Sequence, residues 1–290
     1  MFEGFEDFEL QTSGTTIRGR RGGTGPPMLL LHGLPQTHLM WHRVAPRLAR
    51  RFTVVATDLR GFGDSGKPDG PADHSAYSMR ALAEDQVEVM AALGHRDFRV
   101  VGHDRGARCG YRMALDRPDR VVRLAVLDIV PTAEAFERAG KEFSLGYWVW
   151  SFLAAPEPIP ETLIAGAPEV FVGRLLDSWS ATPAAFPAEV RAQYVEKFRD
   201  PATVHAICEQ YRAAATLDHD HDRADRDAGR RIACPVLALW DPGGAVAQWY
   251  DPLEIWLEWA DDVTGAAIGA GHFLPEEAPD ETAERLIDFL

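Results

Sequence analysis

The sequence has no long apolar run. None of its 290 residues fall in a stretch approaching the roughly 20 apolar residues that a helix needs to cross a bilayer, so no membrane-spanning helix is expected. It lacks an excess of positive charge. Thirty Lys and Arg face 44 Asp and Glu, a net charge of −14, which argues against a nucleic-acid partner. An anionic substrate gains nothing from that overall field, so local arginines must draw any anion in. Cysteine is scarce: Cys109, Cys208 and Cys234 are odd in number and widely spaced, with no metal-like pattern. They read as reduced thiols in a reducing cytoplasm. The N-terminal stretch MFEGFEDFEL is acidic and has no apolar core, unlike a secretory signal, so a cytoplasmic location is expected. No internal repeat is present. Nothing in the chain calls for a metal or another cofactor. The acidic stretch of Asp218, Asp220 and Asp222 fails as a calcium loop, because Arg223 and Gly229 stand where glycine and glutamate are required. It reads as a solvated loop.

What is present is an alternation of short apolar runs and amphipathic segments. Residues 8–22 read as a hairpin turning at Ser13-Gly14. Strands are expected at 28–31, 53–57, 98–101, 121–129, 234–240 and 263–268, the first three of them buried. Helices are expected at 39–50, 77–93, 107–115 and 279–290. Such an order yields an α/β fold with a mostly parallel sheet flanked by helices. At Pro131 the character changes to proline-rich helical segments, with five aromatics between Phe143 and Phe152. The expected organisation is core at 1–130, an inserted helical cap at 131–213, and core again at 214–290.

The organising stretch is Val100 to Ala107, VVGHDRGA. A strand leads into Gly102-His103-Asp104-Arg105-Gly106, and a helix leaves it. That is the nucleophile elbow of the α/β-hydrolase fold, with Asp104 in place of the more usual serine. A carboxylate is ionised at neutral pH without help and can attack a saturated carbon directly. Its product is an ester, which water must then cleave with a base and an oxyanion hole. His32-Gly33-Leu34 follows the 28–31 strand, where an oxyanion loop belongs. Gly271-His272-Phe273 follows the last strand, where a base belongs. For the acid, Asp128 ends the strand beside the elbow strand, with Asp241 as its rival. Arg105 and Arg108 lie one helical turn apart and suit a carboxylate clamp.

The chain resembles the haloacetate dehalogenases, closely the fluoroacetate dehalogenases, of the α/β-hydrolase superfamily. The resemblance rests on LLLHGLPQTHLMWHRVAPRLA, VVGHDRGARCGYRMALDRPDRV, LAVLDIVPT, WSFLAAP, CEQYRAAA, PVLALW and GHFLPEEAPDETAE, from near residue 26 to the C-terminus. It implies Asp104 as nucleophile, His272 as base, Asp128 as acid, and Arg105 with Arg108 on the substrate carboxylate. It also implies Trp150 and Tyr211 as donors to the departing halide, and the backbone N–H groups of Leu34 and Arg105 as the oxyanion hole. The partners are then a small anionic haloacid and water, with no nucleic acid and no membrane; the oligomeric state stays open, a homodimer included.

The chain departs from that family at Val149, which stands where the family's halide pocket has a histidine. Valine donates no hydrogen bond. Loss of fluoride, which depends most on strong donors, is therefore expected to suffer more than loss of chloride or bromide. The alternative reading is an epoxide hydrolase using the same Asp and His, with Tyr211 and a second cap tyrosine protonating the epoxide. Tyr147 would fill that second role only if its helix were rotated.

Overall fold

The computed structural model describes residues 1–290. The strands are β1 (Glu6–Gln11), β2 (Thr16–Gly22), β3 (Pro27–Leu31), β4 (Thr53–Thr57), β5 (Phe98–His103), β6 (Val121–Leu127), β7 (Val236–Trp240) and β8 (Val263–Ala267). They form one sheet in the order β1-β2-β4-β3-β5-β6-β7-β8. Only β1 and β2 run antiparallel to their neighbours. The central strands are buried on both faces, which explains why they read as continuous apolar runs rather than alternating ones. Edge strand β8 is largely half-exposed.

Helices α1 (Ala45–Leu48), α2 (Met79–Ala92) and α3 (Arg105–Asp116) alternate with the first strands. Between β6 and β7 the chain is helical throughout: α4 (Thr132–Glu137), α5 (Lys141–Gly146), α6 (Trp148–Leu153), α7 (Ile159–Gly166), α8 (Pro168–Trp179), α9 (Ala188–Lys197), α10 (Pro201–Ala213) and α11 (His219–Asp227). Helices α12 (Ala245–Trp249), α13 (Pro252–Trp259), α14 (Leu274–Glu277) and α15 (Pro279–Phe289) complete the chain. The boundary expected at residue 213 falls within a helical run, because a π-helical turn at Ala214–Asp218 joins α10 to α11.

Two expectations need correction. Residues 39–50 are not one helix but a 3₁₀ turn, His38–Trp41, followed by the short α1. Pro46 starts α1: it lacks an N–H and disfavours helical backbone in the residue before it. The stretch at 218–222 is not a solvated loop. Asp218, Asp222 and Asp225 are buried on one face of a helix, whereas Asp220 is exposed. Each buried carboxylate accepts hydrogen bonds: Asp218 from the Met79 N–H at 2.8 Å, Asp222 from the Tyr111 hydroxyl at 2.7 Å and the Ala133 N–H at 3.1 Å, and Asp225 from Arg112 and Arg230. No cluster of His, Cys, Asp and Glu side chains is arranged to hold a metal ion. All three cysteines are free. No helix is long and apolar enough to cross a membrane.

Candidate active site

The carboxyl ends of β3, β5, β6 and β7 meet below the helices of the 132–227 insertion. This is where ligands bind in open parallel sheets, and the strand order reverses here about β3. Asp104 sits between the last residue of β5 and the first of α3, at φ 46° and ψ −115°. Such a backbone is strained for any side chain but glycine's, at a cost of about 1–3 kcal/mol, and it persists because strand and helix hold it from both sides. Gly106 permits the turn: a Cβ there would lie 2.4 Å from the Leu31 carbonyl oxygen. Gly33 permits the approach of the loop after β3, where the sequence places the oxyanion donors, since a Cβ on it would lie 2.4 Å from the Asp104 side chain.

That loop is shaped by His32, fully buried, whose Nε2 accepts from the Leu59 N–H at 3.1 Å. Burial lowers the His32 pKa and keeps the ring a neutral acceptor. The Leu34 N–H donates to Asp104 Oδ1 at 3.0 Å. The Arg105 N–H opens α3, a position with no acceptor in its own helix. These are the two backbone donors expected from the sequence; the Leu34 N–H reaches the Asp104 carboxylate, and the Arg105 N–H belongs to the residue that follows Asp104 in the chain. Burial opposes ionisation of Asp104, but His272, His103, Arg108 and the Leu34 N–H together hold its pKa below the usual carboxylate value.

His272 Nδ1–H donates to Asp128 Oδ2 at 2.6 Å. Asp128, also at positive φ, is anchored by its own N–H to the Leu239 carbonyl at 2.7 Å. Asp241 does not reach the imidazole: its N–H donates to Asp128 Oδ1 at 3.1 Å, and its side chain accepts from the Gly243 N–H. Burial lowers the His272 pKa, but the hydrogen bond and charge of Asp128 outweigh it and raise the net value. The other ring nitrogen, Nε2, is buried without a partner in the chain and lies 4.0 Å from Asp104 Oδ2. It is thus free to take a proton from water beside Asp104.

Arg105 and Arg108 are both buried. The Arg105 guanidinium lies 4.7 Å from the Tyr211 ring centroid, and that of Arg108 lies 4.5 Å from the Trp150 ring. The Trp150 and Tyr211 rings meet edge to face at 6.1 Å. Both side chains are buried, Trp150 at 3% and Tyr211 at 2% exposure. Burial and the charge on Asp104 raise the Tyr211 pKa, so its hydroxyl keeps its proton. Val149 is fully buried on α6 beside Trp150. The structure therefore brings every predicted site residue to one end of the sheet or to the helices over it.

Trp179, Thr132 and Gln210 escaped the sequence reading, and Tyr147 was given a place in the site only if its helix were rotated. Tyr147 lines a cavity of about 250 Å³ together with Asp128, Trp179, Asp241, Gly244 and His272. It separates α5 from α6 instead of sharing a helix with Val149. Gly146 was the readable sign of that break. Burial, then Asp128 and Asp104, raise the Tyr147 pKa well above the ordinary phenol value. Trp179 packs edge to face on His272 at 5.4 Å, and its carbonyl accepts from the His272 N–H. Thr132 accepts from Arg108 at 3.1 Å, and Gln210 accepts from Arg105. Neither carries a sequence signal, because each meets its arginine only through tertiary packing.

The sequence profile of the alpha/beta hydrolase fold matches residues 26–279. A fluoroacetate dehalogenase of Burkholderia sp is 45% identical over 100% of this chain and 95% of its own. A soluble epoxide hydrolase of Corynebacterium sp. (strain C12) is 32% identical over 92% of this chain and 91% of its own. Among solved structures, ALR0039 from Nostoc sp PCC 7120 superposes with a TM-score of 0.97 at 49% identity, covering 100% of this chain and 99% of that one. The chain belongs to the α/β-hydrolase superfamily and, within it, to the haloacetate dehalogenase family.

Proposed function

We propose that the protein hydrolyses the carbon–halogen bond of short 2-haloacids such as haloacetates, with residues 132–227 acting as a cap over the site. The observation that carries this reading is a contrast among buried arginines. Arg60 is bonded to Asp85, Arg112 to Asp225, and Arg212 to Glu209 and Glu161. Arg105 and Arg108 have only neutral acceptors: Gln210, the Val130 carbonyl and Thr132. Burying a cation without a carboxylate is costly. The cost is offset when an anion arrives, and a substrate carboxylate supplies the planar, bidentate partner that guanidinium groups favour.

In this reading the clamp turns the haloacid so that its halogen-bearing carbon faces Asp104. Oδ1 is held by Leu34, leaving Oδ2 to attack. The C–O bond forms as the carbon–halogen bond breaks, and the halide departs toward Trp150 and Tyr211. His272 then deprotonates water, which adds to the ester carbonyl while Leu34 and Arg105 N–H groups bind the oxyanion. The 2-hydroxy acid leaves and Asp104 is restored. Val149 brings no donor to the halide, so bromo- and chloroacetate should outrun fluoroacetate.

The epoxide-hydrolase reading has one observation in its favour: Tyr147 and Tyr211 both reach the site and both keep protonated hydroxyls. Against it stands the unpaired arginine charge beside what would be a neutral epoxide. Halide release from chloroacetate, set against diol formation from styrene oxide, separates the two. Diol formation without chloride release would reject the haloacid reading.

A further inference from the structure

The seat of Arg105 is built in an unusual way. Gln210, on α10 and fully buried, receives two bonds from it: Arg105 Nε donates to Gln210 Oε1 at 3.4 Å, and Nη2 donates to the Gln210 carbonyl at 3.0 Å. The Gln210 amide also donates from Nε2 to the Arg60 carbonyl at 2.8 Å. One side chain from the insertion therefore ties together two core segments, the start of α3 and the loop after β4. An amide meets both needs of the position, an acceptor toward Arg105 and a donor toward Arg60.

The electrostatic consequence is separate from the mechanical one. The amide orients the guanidinium without neutralising it. Arg105 Nη1 remains buried with no acceptor in the chain, as does Arg108 Nε. Asp218, a carboxylate under the influence of Arg105, lies beyond salt-bridge distance, and burial lifts its pKa to about 6. Neighbouring positions on α10 behave differently: Glu209 is a carboxylate and does neutralise an arginine, Arg212, at 2.9 Å.

Resting on the haloacid reading above, we propose that Gln210 is a specificity-determining positioning residue, which holds Arg105 by neutral acceptors and so reserves its charge for a substrate carboxylate. A glutamate at this position would keep the acceptor toward Arg105 but pair with it, so the clamp would lose its attraction for anions.

The test compares Gln210→Glu and Gln210→Met on chloroacetate and on uncharged chloroacetamide, with acetate as a competitive inhibitor. In Gln210→Glu, KM for chloroacetate and the inhibition constant of acetate should each rise about tenfold or more, while KM for chloroacetamide stays within about twofold. Gln210→Met removes one tether but no charge. Its KM for chloroacetate should rise by only about threefold, with preference for the anion retained. That comparison also serves if Gln210→Glu fails to fold, because equal losses on both substrates in Gln210→Met would show a merely structural role and overturn the proposal. So would a folded Gln210→Glu that still discriminates as the wild type does. Wild-type protein that ignores acetate and treats both substrates alike would instead overturn the haloacid reading itself.

Discussion

The two sides of the site are built by different means. On the core side, Asp104, Asp128 and His272 each occupy the loop directly after a strand or the chain just beyond it, and backbone bonds fix their positions. On the insertion side, Trp150, Tyr211 and Gln210 come from two helices and meet the core through side-chain packing and through the hydrogen bonds of Gln210. The core side holds groups that could serve any ester-forming hydrolysis. In the proposed reading the groups over it set the leaving group, and Gln210 keeps the charge of Arg105, on core helix α3, available to the substrate. Chemistry and selectivity should therefore fail separately, and variants on each side can break that division.

The largest effect is expected from His272→Asn. The ester should form and release halide about once per site, and then persist. Mass spectrometry of the peptide containing Asp104 should show the added substrate fragment. Continued turnover would mean that another group activates water.

Next come Arg105→Ala and Arg108→Ala. Losing a charge-assisted contact in a closed site costs about 2–4 kcal/mol, or roughly 30- to 1000-fold in kcat/KM on haloacetates. Haloacetamides should lose far less. Circular dichroism should show the fold intact; a matched loss on both substrates would deny the arginines a role in reading charge.

Val149→His should act on the halide alone. Charge on departing fluoride is concentrated, so an added donor stabilises that transition state most. The ratio of fluoride to chloride release should rise by about tenfold or more. Wild-type defluorination as fast as dechlorination would show that Trp150 and Tyr211 suffice.

The smallest effect concerns stability. Glu276 is fully buried, accepts from Gln36 and from Tyr194 at 3.0 Å, and burial pushes its pKa up to about 8. A carboxyl whose folded pKa is raised binds its proton more tightly when folded. Stability should therefore fall as pH rises from the unfolded value, near 4.5, to about 8, and level off above it. Glu276→Gln should flatten that slope in urea titrations run across this range. An unchanged slope would place the titration elsewhere.

How much of this was legible depends on what carries the information. The elbow, the oxyanion loop and His272 are local: glycines at 33, 102, 106 and 271 mark places where backbone passes close to its surroundings, and those marks stand in the sequence. The central strands were readable because burial on both faces leaves them wholly apolar. Failures arose where tertiary partners overrule local appearance. Charges at 218 and 222 looked solvated, yet their helical spacing turns them to one face, where the Met79 and Ala133 N–H groups and the Tyr111 hydroxyl satisfy them. Gln210 and Thr132 looked like ordinary helix residues, because their arginines are 105 and 24 positions away.

The central claim is that Asp104 carries the substrate as an ester. A single turnover of chloroacetate, with enzyme in excess, in water enriched in oxygen-18 tests it most directly. Water attacks the ester carbonyl in this account, so the heavy oxygen should enter the Asp104 carboxylate and be absent from the first hydroxy acid released. Heavy oxygen appearing in that first product would show that water attacks the substrate carbon itself, and would contradict the account.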